Sequence, residues 1–240
     1  MIRNNLNSIC PYFAMFPLDY PLECIAKNKA TRILDPFCGR GTTNMAARLN
    51  GLYSVGIDSS KVAFAISSAK MVDVSPGDVV QECEDILSST SDTPVPDGEF
   101  WKMMYDGETL ANLCKLRDSL LDDCESDVRI ALRGIALGAL HGPLRADGST
   151  SYFSNQFPRT YASKPKYSVK YWKMHDLTSP PKVNITEIVK RRAERCYSEK
   201  YGPVNGFIIN GDSTDPRTFQ KIASKSDNDR PFDTVITSPP

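Results

Sequence analysis

Apolar and polar positions alternate in two different ways along this chain. Near its start and again near its end the apolar runs are short and each closes on a polar corner. Thr31-Arg32-Ile33-Leu34-Asp35 and Tyr53-Ser54-Val55-Gly56-Ile57-Asp58 read as strands. So do Phe207-Ile208-Ile209, running into Asn210-Gly211-Asp212, and Asp233-Thr234-Val235-Ile236, running into Thr237. Thr42 to Leu49 reads as the helix after the first strand. Ser60 opens another helix, through Val62, Ala63, Ile66 and Ala69. This β-loop-α-β-α order predicts a doubly wound α/β domain.

Between these regions the period becomes helical. Leu110, Leu113, Cys114, Leu120 and Leu121 share one helical face, and Val128 to Leu140 is apolar on nearly all sides, as a buried helix is. Asn184 is placed to cap a helix with Glu187 at its third position, and Ile185, Ile188, Val189, Ala193 and Cys196 form the stripe. Ser88 to Gly98 reads as a linker and residues 148–175 as loop. The expected organisation is one α/β domain, residues 1–87 and 205–240, interrupted by a helical and loop insertion over 88–204.

Composition changes this picture little. A chain of 240 residues, 40% hydrophobic and 24% charged, suits a globular protein of one large domain or one domain with an insertion. Seven scattered cysteines without a C-x-x-C pair argue against a disulfide framework or a metal site, and for a reducing, cytoplasmic setting. No apolar run has signal-peptide or membrane-spanning length, so neither is expected.

Charge changes it more. Twenty-nine basic residues balance 29 acidic ones, so no global field draws the chain to nucleic acid. The zero hides an asymmetry. Asp78 to Asp127 holds fourteen acids against Lys102, Lys115 and Arg117, while Gly148 to Met174 holds none. That second stretch carries Arg159, Lys164, Lys166, Lys170 and Lys173 among Tyr152, Phe153, Phe157, Tyr161, Tyr167, Tyr171 and Trp172. Cations and aromatics without acids suit phosphate contact and base stacking. Arg159, Tyr161, Lys164, Lys166, Lys170 and Trp172 are the expected DNA contacts. Lys190, Arg191, Arg192 and Arg195 are interspersed with Glu187, Glu194 and Glu199, and solvated ion pairs are expected there. His141 and His175 are expected to be packing or surface residues.

Two segments carry the chemistry. Asp35-Pro36-Phe37-Cys38-Gly39-Arg40-Gly41-Thr42-Thr43 follows the first strand, and its glycines let backbone turn sharply and approach a ligand. Asp58 ends the next strand, 17 residues after Gly41, where α/β nucleotide folds place an acid on ribose hydroxyls. Asp212 ends the third strand and is suited to accept from an adenine amine. Thr237-Ser238-Pro239-Pro240 follows the last strand. An exocyclic amine is a poor nucleophile because its lone pair is delocalised into the ring. A hydroxyl and a carbonyl accepting its two hydrogens push the nitrogen toward tetrahedral geometry. Prolines hold such a corner extended and remove competing N–H groups.

In this combination and order the two segments resemble those of the amino-methylating DNA methyltransferases, which modify N4 of cytosine or N6 of adenine. The resemblance covers residues 11–70 and 205–240. It implies a Rossmann-like class I methyltransferase sheet, incomplete here, with the insertion serving DNA recognition. The implied cofactor is S-adenosyl-L-methionine, contacted by Phe16, Asp35, Pro36, Phe37, Gly39, Gly41, Thr42, Thr43, Asp58, Asp212 and Thr237. Phe13 to Pro17 looks like the segment packing around the methionine end, and Cys38 fills a variable packing position.

Ser238, Pro239 and Pro240 take the catalytic role, with Ser238 the side-chain acceptor and Pro239 the carbonyl. The implied partner is double-stranded DNA, with the target base flipped out of the stack. Ser before Pro-Pro leans toward cytosine N4 and a restriction-modification role. N6-adenine methylation of DNA, an RNA amino-methyltransferase and a non-catalytic cofactor- or DNA-binding half remain open. C5 methylation is rejected because no Pro-Cys dipeptide occurs. The family's aromatic after the second proline is missing, so the expectation is an enzyme completed by a C-terminal polypeptide; alone, the chain is expected to bind cofactor weakly and not to turn over. A second Thr178-Ser179-Pro180-Pro181 follows no apolar strand and is expected to be a plain loop.

Overall fold

The computed structural model describes residues 4–11, 16–90, 93–143, 150–157, 164–226 and 230–238. Four strands, β1 (Arg32–Asp35), β2 (Tyr53–Asp58), β3 (Gly206–Asn210) and β4 (Thr234–Val235), form one sheet in the order β3-β2-β1-β4. Every pairing is parallel. The fold class is therefore α/β, and the strand order reverses between β1 and β4. All four expected strands are present, the last trimmed to two residues.

The chain divides into two compact units, residues 1–74 with 196–240, and residues 75–195. These limits differ from the expected 88 and 204, because the Ser/Thr/Asp/Pro-rich linker lies inside the second unit rather than at its edge. The first unit contains α1 (Asp19–Asn28), α2 (Thr42–Leu49), α3 (Lys61–Ser68), α10 (Pro216–Lys225) and the sheet. A parallel sheet is covered on both faces, so its strands are apolar on both sides. Val55, Ile57 and Ile209 point to the face where Ile222 of α10 packs, flanked by Leu34, Tyr53, Phe207 and Phe232. Ile208 points to the opposite face, against Cys38, Met71 and Phe64. Helix α2 spans the expected residues, and Ser60 caps α3 by accepting from Ala63 N at 3.3 Å.

Two buried basic side chains, Arg48 and Lys70, brace this unit. Arg48 is 2% exposed and donates through Nη1 to the carbonyls of Lys70 (2.7 Å) and Val72 (2.9 Å). Lys70 is fully buried, and its Nζ donates to Asn7 Oδ1 at 2.8 Å. Burial first, then the nearby Arg40 charge, holds this amine well below its ordinary 10.5, opposed by the Cys38, Cys10 and Cys196 thiols. A base depressed in the folded state costs most stability at low pH. The cost is relieved as pH rises from its folded value toward 10.5, where the unfolded chain binds the extra proton. Lys70→Met is therefore expected to gain most over the wild type at the acid end of that window. The gap should close with pH by at most ~1.4 kcal/mol per unit, read from unfolding midpoints over a pH series.

The second unit is helical: α4 (Pro76–Ser88), α5 (Glu99–Met104), α6 (Gly107–Asp122), α7 (Asp127–Ala139), α8 (Pro165–Met174) and α9 (Ile185–Tyr197), whose last two residues belong to the first unit. Side-chain caps start four of them: Ser75, Asp106, Ser126 and Asn184 accept from Asp78, Thr109, Arg129 and Glu187 N–H groups at 3.0–3.3 Å. Each such cap is worth about 1 kcal/mol. Ala131, Leu132 and Ile135 of α7 are fully buried, as its apolar composition requires. Leu121 departs from expectation. It is 76% exposed, and Leu116 takes its place in the core. Among the described residues no helix is long and apolar enough to cross a membrane.

Candidate functional site

All four strands run the same way, so their carboxyl ends share one edge of the sheet. Asp35, Asp58, Asn210 and Thr237 stand there, each one at or just beyond a strand end. In open parallel sheets ligands bind at this edge, at the point where strand order reverses.

The loop after β1 is closed by its own backbone. Cys38 N–H donates to Ile57 O (2.9 Å) and Gly41 N–H to Cys38 O (2.6 Å). Gly39 (φ +49°) and Gly41 (φ +71°) both adopt the left-handed region. Their side-chain spaces differ. A Cβ on Gly41 would lie 2.8 Å from Ser67 Cβ, so α3 passes hard against that residue, whereas a Cβ on Gly39 would meet nothing within 4 Å among the described residues. The sequence groups the two glycines together; the structure separates a packing glycine from one whose Cβ position is clear of the described residues.

Asp58 holds the loop from the next strand. Its Oδ2 accepts from Gly39 N–H at 2.8 Å and its Oδ1 from Ser60 N–H at 2.9 Å. From β3, Asn210 Nδ2 (2.9 Å) and Gly211 N–H (3.0 Å) bond to Asp58 O, and the Ser213 hydroxyl donates to Pro36 O. Asp212 is exposed; its Oδ1 accepts from the N–H and hydroxyl of Thr214, and these bonds lower its carboxyl below the usual range.

On the other side of β1, β4 is pinned at its start by Asp233, which accepts from Thr31 N–H and Arg32 N–H at 3.0 and 3.2 Å. Thr43 of α2 donates through Oγ1 to Ile236 O at 3.2 Å. The segment Thr237-Ser238 is thereby brought beside the glycine loop. Asp35 is 2% exposed between them. Burial raises its carboxyl, while the Thr237 and Thr43 hydroxyls and Phe37 N–H pull it back down. Thr237 Oγ1 is buried beside Asp35 and makes no hydrogen bond of standard geometry among the described residues. Ser238 is exposed at the edge.

Phe37 is 40% exposed, and Phe16 is half-buried, edge-on to Tyr20 at 5.4 Å. Pro36 is half-buried, and Thr42 and Thr43 are buried at the start of α2. Cys38 is inert packing: burial pushes its thiol well above its ordinary value, and its Sγ lies 3.8 Å from Ser67 Oγ. Sequence reasoning missed Arg40. It stands between the two glycines with a buried Nε that meets no acceptor among the described residues. Its place in the loop was the available signal. Pro239, Pro240 and Phe13 to Met15 lie outside the described residues.

The expected DNA contacts divide. Lys164, Lys166 and Lys170 are exposed on or beside α8. Arg159 and Tyr161 lie outside the described residues. Trp172 is a correction: it is fully buried, donates through Nε1 to Gln156 O at 2.7 Å, and packs on Phe157 (5.2 Å) and Phe100 (5.6 Å). It cannot stack on a base. The reading of 148–175 as loop is corrected too, since α8 occupies 165–174. Thr178 to Pro181 is loop as expected, and Thr178, Ser179 and Pro180 line a cavity of about 510 Å³ inside the second unit. His141 packs against Phe157 at 5.0 Å, and His175 is exposed beside Tyr171 at 4.4 Å.

No family model, no curated protein and no solved structure matches this chain. The site therefore stands on its own residues.

Proposed function

We propose that this chain is the catalytic part of an S-adenosylmethionine-dependent DNA methyltransferase acting on the exocyclic N4 of cytosine, of restriction-modification type. The observation that carries the reading is the junction at the order reversal, where Thr43 of the loop helix bonds to Ile236 O and Thr237, next to Ser238 in the chain, lies beside Asp35. A cofactor loop and an amine-binding corner, distant in sequence, would then face one reaction centre.

The residues present fit the cofactor. The space over Gly39, clear among the described residues, gives backbone room to approach a ligand, and the half-exposed Phe37 offers an apolar wall. Asp58 would take the ribose hydroxyls with lone pairs not spent on Gly39 and Ser60, and Asp212 the adenine amine. When bound, the cofactor supplies an electrophilic methyl on a sulfonium. Ser238 Oγ would accept one hydrogen of the target amine and the Pro239 carbonyl the other, turning the nitrogen lone pair out of ring conjugation. Asp35 and Thr43, both buried, would form a floor that excludes water from the reacting groups. β4 is an outer strand of two residues whose Val235 is 60% exposed, which favours completion of the sheet by a C-terminal polypeptide.

Mass spectrometry of nucleosides from duplex DNA, after incubation with methyl-labelled cofactor and the chain, with and without that polypeptide, tests the reading. Labelled N4-methylcytosine is expected. Labelled N6-methyladenine would keep the chemistry and correct the base. Label on cytosine C5, or on RNA alone, would overturn the reading.

A further inference from the structure

The second unit holds a cationic cavity whose charge comes from α9 rather than from the lysines of the aromatic and basic segment. Its walls include Arg191, Arg192 and Arg195 of α9, with Ile188, Tyr152 and Pro143, around a volume of about 350 Å³. Two of the guanidinium groups are fixed by backbone. Arg191 Nη2 donates to Thr150 O at 2.9 Å, and Arg192 donates through Nε and Nη2 to Ser151 O at 3.3 and 3.1 Å. Arg192 also lies over the Tyr152 ring, with Cζ 4.7 Å from its centroid. Arg191 Nε also pairs with Glu187 Oε1 at 3.6 Å, an ion pair of the kind expected on this face. Nη1 of Arg191 has no acceptor among the described residues.

We infer that this cavity binds the phosphodiester backbone of nucleic acid. The inference rests on the reading of the chain as a DNA-modifying enzyme. Arg191, Arg192 and Arg195 place three guanidinium groups within five residues of one helix, and their positive charge and N–H donors are of the kind that phosphate oxygens accept. Holding two forks on carbonyls removes side-chain entropy that binding would otherwise have to overcome. Tyr152 beside them offers a flat face to a sugar or base next to the bound phosphate. The neighbouring Lys190 is exposed but does not line the cavity, which supplies an internal control. DNA contact in this unit is thus assigned to the α9 cavity, with the α8 lysines as outlying charge and the buried Trp172 excluded.

The experiment is fluorescence anisotropy of a labelled DNA duplex over a salt series, with S-adenosylhomocysteine binding measured on the same samples. Arg191→Gln with Arg195→Gln is expected to weaken duplex binding at least tenfold near ~0.1 M salt and to lower the log–log salt slope by about 2. Lys190→Gln should change the slope by less than half as much. A double variant no weaker than Lys190→Gln would overturn the inference, because the helix face would then act only as diffuse charge. Should the glutamine variant fail to fold by circular dichroism, Arg191→Lys with Arg195→Lys replaces it. That variant keeps the charge, and weakened binding at an unchanged slope supports a fork-specific site, while wild-type binding overturns it. Inorganic phosphate is the second probe. If phosphate raises the melting temperature through these arginines while duplex binding ignores them, the cavity serves a free anion and the inference fails. A chain that binds S-adenosylhomocysteine but no duplex sinks this inference alone. Duplex binding through the arginines without S-adenosylhomocysteine binding sinks the cofactor reading alone.

Discussion

Ser238→Ala is expected to slow methyl transfer by 10²-fold or more, in line with the typical loss of ~10²–10³ when one polarising group is removed from a reaction centre. It should leave S-adenosylhomocysteine affinity within about twofold. The hydroxyl is exposed and makes no hydrogen bond among the described residues, so its loss costs the fold little. What it removes is an acceptor needed only when the amine nitrogen pyramidalises, and an interaction confined to the transition state appears in the rate, not in binding. The duplicated motif supplies the comparison. Ser179→Ala alters a serine in a loop of the second unit, on the wall of an unrelated cavity, and should leave the rate unchanged. Single-turnover transfer of labelled methyl to DNA, measured for both variants in whichever preparation methylates, separates them. Equal rates for Ser238→Ala and wild type would remove the hydroxyl from the mechanism.

Gly206→Ala is expected to have the largest effect on stability. Gly206 opens β3 at φ +113° and pairs with Ser54 of β2. A Cβ there would lie 1.8 Å from Ser54 O and 2.8 Å from Ser54 C, both backbone atoms of a central strand. No rotamer relieves that clash, and the φ value alone disfavours any L side chain. The β2–β3 ladder has to open at this end, at a cost of roughly 3 kcal/mol or more. Asn210 and Gly211 would then be drawn from Asp58, and the third acid, Asp212, from the site. Denaturant unfolding followed by circular dichroism, with a loss below ~1 kcal/mol, would show that the sheet tolerates a different register at Gly206.

The α/β half was legible because its signals are local and chemical. A strand ending in Asp35, glycines at 39 and 41, and a helix from Thr42 can be arranged in few ways. Asp58 and Asn210-Gly211-Asp212 ended their strands where the pattern placed them. The second half was harder for physical reasons. Helix α8 was read as loop because lysines and tyrosines mask its apolar stripe, yet Ser168 and Trp172, four residues apart, face inward while Lys166, Lys170 and Lys173 face out. The spacing held the signal, but aromatic residues among cations suggested an exposed stacking surface. Phe153, Phe157 and Trp172 instead form core, because a small helical unit must bury its largest apolar side chains. Helix α4 was hidden inside the acidic block. Its Val79, Cys83 and Ile86 are spaced as a buried face, with the acids as its solvated back. The cavity on α9 was invisible in sequence, since the approach of Tyr152, Ser151 and Thr150 to the arginines is a tertiary contact.

The most direct test of the central claim is a calorimetric titration of S-adenosylhomocysteine into the wild-type chain and into Gly39→Ala. A Cβ at position 39 meets nothing within 4 Å among the described residues and carries the backbone cost of φ +49°, about 1–2 kcal/mol, so the variant should remain folded. That Cβ would enter the space assigned to the cofactor. One-to-one binding by the wild type, weakened at least tenfold in a Gly39→Ala variant that still melts cooperatively, is the predicted result. A wild type that binds no S-adenosylhomocysteine, or a folded Gly39→Ala that binds it equally well, would contradict the assignment of this sheet edge to the cofactor.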